Sequence, residues 1–122
     1  MNKNKLHEVL TEIANDSERG IPTLLANNII GKGFESVDET GSYLERIVYY
    51  SETEPVIPEF KTESLLTESA HTYMTEVLSF VKNADIDMSE YASFNEFIKA
   101  MFIRAYRFES LMMLDLLEDL SQ

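Results

Sequence analysis

The sequence predicts an all-α protein: a small helical bundle built on an antiparallel hairpin of two long C-terminal helices, with shorter N-terminal helices packed across it. Three observations carry that reading. Residues 62–83 and 94–120 both repeat apolar side chains at helical spacing. From Phe94 to Leu120, 17 of 27 residues are apolar, which marks that segment as the centre of the core. Finally, Ser-x-x-Glu capping boxes open segments at Ser42–Glu45 and Ser93–Glu96, where serine and glutamate satisfy each other's orphan amides.

The elements follow in order. Residues 4–17 form a first helix, with Leu6, Val9, Leu10 and Ile13 on one face and Gly20 placed to cap its end. Pro22 suits a first helical turn and opens a second helix, about 22–30, which buries Leu24, Leu25 and Ile29 before Gly31-Lys32-Gly33 stops it. A third helix, about 42–51, presents Leu44, Ile47, Val48 and Tyr50; its β-branched and aromatic residues make a strand over 43–50 the competing reading. Residues 52–61, with Pro55 and Pro58, cannot continue a helix and form a connector. In 62–83, Leu66, Ala70, Tyr73, Met74, Val77, Phe80 and Val81 share one arc. A polar turn over 83–93 leads to the last helix, about 40 Å long at 1.5 Å per residue. Its first stripe is Phe94, Ile98, Met101, Ala105, Phe108 and Met112. A second stripe, Met113, Leu116, Leu117 and Leu120, is rotated by about 100° at helical pitch. Phe94, Ile98, Met101, Phe108, Tyr73, Val77 and Phe80 are expected to be mutually buried, and the second stripe to be covered by the N-terminal helix, a second copy or a target.

The 122 residues fit one domain, 1–122, able to bury a core without staples. The chain has no cysteine, which removes disulfides, thiolate nucleophiles and cysteine-ligated zinc. No apolar run follows the N-terminal lysines, so no secretory signal is read there, and Arg104, Arg107 and Glu109 interrupt the richest apolar stretch, so no membrane span is expected. A cytoplasmic protein is the resulting expectation. The formal charge is −12, shared as −5 over residues 1–61 and −7 over 62–122. Such a field repels phosphate backbones, and no Lys or Arg cluster offsets it, so direct nucleic-acid binding is rejected.

No constellation names a reaction. Glu68 and His71 have the Glu-x-x-His spacing of di-iron bundles, but Asn4 stands three before His7, so a second pair is missing. His7 beside Glu8 reads as surface. Gly31-Lys32-Gly33 lacks the earlier glycine and following Ser or Thr of a phosphate-binding loop. Asp85 and Asp87, and Asp115, Glu118 and Asp119, lack the glycine and terminal glutamate of a calcium loop. No catalytic residue, metal or cofactor is assigned.

The functional expectation is a non-enzymatic interaction protein. It is read as an inhibitor, immunity or anti-defence type protein that covers the basic, nucleic-acid-binding surface of a nuclease, defence enzyme or similar partner, with DNA mimicry as the sharper form. Its contact residues are Glu63, Glu68, Glu76, Asp115, Glu118 and Asp119, with Met113, Leu116, Leu117 and Leu120 as apolar anchors. The alternative is a helical structural protein, adaptor or assembly chaperone acting as a homodimer.

Overall fold

A computed structural model of the chain describes residues 3–16, 20–34, 36–50 and 57–120. Among them every regular element is helical: α1 (Lys3–Ala14), α2 (Ile21–Gly31), α3 (Val37–Tyr50), α4 (Glu63–Thr72), α5 (Met74–Ala84) and α6 (Phe94–Leu120), with 3-10 turns at Pro58–Phe60 and Met88–Glu90. The strand alternative over 43–50 is therefore set aside. Residues 17 and 51–56, which hold the last positions of two expected helices and Pro55, lie outside the described residues.

Local chemistry explains most boundaries and moves two of them. α3 starts five residues before the expected serine, because Ser36 caps it: its hydroxyl accepts from the Glu39 amide (3.1 Å) and donates to the Glu39 carboxylate (3.4 Å). The earlier start brings Thr40, Tyr43, Leu44 and Ile47 onto one buried face, and the Thr40 hydroxyl is satisfied by Ser36 O at 3.0 Å. At the head of α6, Ser93 does cap, accepting from the Glu96 amide at 3.1 Å. Gly20 does not end α1. It precedes α2 with φ +60, and a Cβ there would fall 1.5 Å from Glu76 Oε1. The end of α1 is instead held by Thr23 of α2, whose hydroxyl donates to Ile13 O (3.1 Å) and Asp16 O (2.7 Å).

The single helix expected over 62–83 is two, interrupted at Tyr73. Contacts between α4 and α6 step backwards, Glu63 meeting Lys99 and His71 meeting Asn95. Those of α5 step forwards, from Tyr73 against Phe102 to Phe80 against Phe108. The antiparallel pairing expected of the whole segment thus holds for α4 alone. α3 makes the most extensive packing on α6 and does run against it: Val37 and Gly41 lie beside Leu114 and Leu117, and Val48 beside Arg104 and Arg107. The connector is not a passive link, since Ile57 is buried and Phe60 packs edge-on against both Phe102 (5.3 Å) and Tyr106 (5.5 Å).

One core results, with α6 at its centre. Its buried residues are Phe97, Ile98, Met101, Phe102, Ala105, Tyr106, Ser110, Met113 and Leu117 among others. The first stripe is buried from Ile98 to Ala105, but Phe94, Phe108 and Met112 are exposed, because the cover given by α4 and α5 does not reach around them. Of the expected mutual core, Ile98, Met101 and Val77 are buried and Tyr73 and Phe80 partly so; Phe94 and Phe108 are the corrections. α6 stays one helix, and its end faces a different neighbour. Met113 and Leu117 are buried and Leu116 and Leu120 pack against the same core, which also contains Leu6 and Leu10 of α1. Phe102→Ala is expected to cost ~3–5 kcal/mol in urea denaturation, and Phe108→Ala roughly 1 kcal/mol or less. Equal losses at the two sites would contradict this division of α6 into covered and open faces.

Candidate interaction surface

The richest polar cluster is internal. Asn28 Nδ2 donates to the Tyr106 hydroxyl at 2.8 Å, and the Tyr43 hydroxyl donates to Glu59 Oε1 at 2.8 Å. Lys32 Nζ, 3.1 Å from the same carboxylate oxygen, supplies its counter-charge and lies 4.9 Å from the centre of the Tyr43 ring. Glu59 Oε2 is buried with no hydrogen-bond partner among the described residues. Burial is the main cause holding the Tyr43 and Tyr106 hydroxyls well above the usual tyrosine range, with the Glu59 charge acting in the same direction on both. Tyrosines made harder to ionise cannot serve as bases near neutral pH. The cluster instead ties α2, α3, α6 and the 58–60 turn together.

The acids named from the sequence divide by environment. Glu63 pairs with Lys99, a buried lysine that Glu96 also reaches at 2.8 Å; the two carboxylates hold its ammonium above the ordinary lysine range. Glu76 accepts from the Ile21 amide at 3.0 Å and so caps α2 from α5, 55 residues away in sequence. Glu68, Asp115, Glu118 and Asp119 are exposed. Met113 and Leu117 are buried, and Leu116 and Leu120 are partly buried against the core. His71 Nε2 donates to Asn95 Oδ1 (3.0 Å), so it serves as a surface tie between α4 and α6. Among the described residues no three His, Asp or Glu side chains converge as a metal-binding set, and no helix is long and apolar enough to cross a membrane.

Two grooves flank the C-terminal half of α6. One, of about 400 Å³, lies between the start of α3 and the end of α6 and carries Asp38, Glu45 and Glu118 on its walls over a floor that includes Leu114 and Leu117. No cation pairs with these three acids among the described residues. The sequence singles out Glu118 alone. Asp38 and Glu45 stand seven apart, on one helix face, which becomes visible once α3 begins at Val37. The other groove, of about 380 Å³, is lined by Val48, Phe80, Ile86, Phe108 and Leu111 with Arg104 and Arg107. No protein-family model, curated protein or solved structure matches the chain.

Raised tyrosine values set a sign for the pH dependence. The unfolded chain ionises these hydroxyls near pH 10, whereas the folded chain keeps Tyr43 and Tyr106 neutral beyond it. Stability is therefore unaffected by them below about pH 10 and falls as pH rises above it. Absorbance at 295 nm is expected to show both tyrosines ionising only as the helical signal collapses. Tyr43→Phe should make the alkaline loss shallower. Free titration of all tyrosines in the folded protein would contradict the burial described.

Proposed function

We propose that this chain is a non-enzymatic interaction module that binds a basic surface of a partner protein through the groove between α3 and α6. The observation that carries it is the convergence of Asp38 and Glu45 from one helix with Glu118 from another, none of them paired with a cation among the described residues, beside Leu114. Acids gathered this way attract a cationic surface and speed encounter, while the partly exposed Leu114 offers apolar contact once it is seated.

The placement of acids on α6 supports the same reading. Asp115, Glu118 and Asp119 crowd the C-terminal turns, where the helix dipole favours cations and where α6 has none. Folding gains nothing from carboxylates at that end, so their presence is better explained by what they meet outside the chain. An inhibitor or immunity-type protein that covers the nucleic-acid-binding surface of an enzyme is the class that uses fast electrostatic capture most directly, and DNA mimicry is its narrower form. Glu63 and Glu76, committed to Lys99 and to α2, leave the partner-binding set, and Glu68 stands apart from the groove.

The test pairs stability with capture. Asp38→Lys/Glu45→Lys/Glu118→Lys is expected to fold normally, with Glu118→Lys itself neutral or stabilising by ~0.3–1 kcal/mol through the dipole. Proteins retained from host lysate by the native chain and released by rising salt should not be retained by the triple variant, yet should still bind Glu68→Lys. Partners held equally by native and triple variant at every salt concentration would remove the groove from the binding site.

A further inference from the structure

The second groove sits on a face of α6 that the described residues leave largely exposed. Phe108, Leu111 and Met112 are 50%, 43% and 51% exposed, and Arg104 and Asp115 are exposed on either side of them. Leaving large apolar side chains in water forgoes the burial that drives association, so a contiguous set of them bordered by charges marks a contact surface.

The order of residues on this face points to one occupant. Arg104, Phe108, Leu111 and Asp115 are spaced four, three and four apart, the a/d spacing of a helix-pairing seam, and fall within an arc of about 60° at helical pitch. Turned end for end, the seam is its own complement. A second α6 laid antiparallel, with the two-fold axis between residues 109 and 110, sets Phe108 against the second copy's Leu111, and Leu111 against its Phe108. The same register sets Arg104 against the second copy's Asp115 at both ends. A parallel alignment would instead oppose Arg104 to Arg104 and Asp115 to Asp115. The groove walls formed by Val48, Phe80 and Ile86 flank the seated ring of Phe108.

We infer that the chain forms an isologous dimer through the Arg104–Phe108–Leu111–Asp115 seam of α6, paired antiparallel. In a protein of net charge −12 two copies repel at a distance, so the two Arg104–Asp115 contacts matter for more than their number: they place cations where the approaching copy is acidic. The seam is distinct from the acidic groove, and neither proposal depends on the other.

Sedimentation velocity over a wide range of protein concentration, with a circular dichroism spectrum for each variant, tests this on the whole chain. The native protein is expected to be dimeric. Phe108→Ser should give a folded monomer. Arg104→Asp, which turns both end contacts into repulsions, should weaken the dimer by about tenfold or more, as should Asp115→Arg. The double exchange Arg104→Asp/Asp115→Arg should restore dimerisation, because it re-creates both pairs with their signs reversed. A native protein that stays monomeric at high concentration overturns the proposal. So does a dimer that survives Phe108→Ser, or one that the double exchange fails to restore when each single change weakens it.

Discussion

Covering α6 is the constraint on which the rest of the structure depends. At 27 residues it is about twice as long as any other helix; the others run from 10 to 14 residues. At 1.5 Å per residue none of them reaches more than about half its length. Its apolar face has to be tiled: α4, α5 and the 57–60 turn serve the N-terminal half, α3 runs against the C-terminal half, and α2 reaches in between through Asn28 and Tyr106. Tiling creates joints. Between Phe80 of α5 and Val48 of α3, the described residues leave the side of α6 bearing Phe108, Leu111 and Met112 largely exposed. The second groove is thus a direct result of laying short helices on a long one.

That arrangement was legible in the sequence as far as local rules extend. Helical periodicity and the Ser93 cap locate α6 to the residue, and the buried residues Leu6, Leu10, Leu25, Ile29, Leu44 and Ile47 stand out by their spacing. What stayed hidden depends on tertiary competition. Ser36 and Ser42 each begin a Ser-x-x-Glu sequence, and a local rule cannot rank them; burial of Thr40 and Tyr43 does. The interruption at Tyr73 carries no glycine or proline, and its flanking apolar residues stay in phase across it, so the pattern reads as one helix. The seam through Phe102, Tyr106 and Ser110 that joins the two stripes of α6 was masked by a serine at its centre. The Ser110 hydroxyl is buried harmlessly because it donates to Tyr106 O at 2.9 Å.

The candidate sites were harder to read for a related reason. A surface acid and a structural acid look alike in sequence. Glu76 and Glu118 both sit on exposed-looking arcs, yet Glu76 lies so close to Gly20 that any side chain there would collide with it, and it supplies the acceptor that the first turn of α2 lacks. Glu63 and Glu96 neutralise Lys99, whose side chain is largely covered while its ammonium meets two exposed carboxylates. Once these and Glu59 are assigned to the fold, Asp38, Glu45 and Glu118 remain as acids that pair with no cation among the described residues.

The distribution of charge along α6 then separates two roles on one helix. Its cations, Lys99, Arg104 and Arg107, lie in the first half, and Glu109, Asp115, Glu118 and Asp119 in the second. Acids at the C-terminal end run against the dipole, so the gradient does not arise from helix stability. It does make the helix electrostatically self-complementary when reversed, and it concentrates negative charge at the end that α3 extends with Asp38 and Glu45. A single gradient therefore supplies an acidic groove on one side of α6 and, through Arg104 and Asp115, two oppositely charged ends for the open seam on another. Placing both on the element that every other helix must cover holds them on the most fully supported backbone in the fold, and keeps each surface fixed relative to the other.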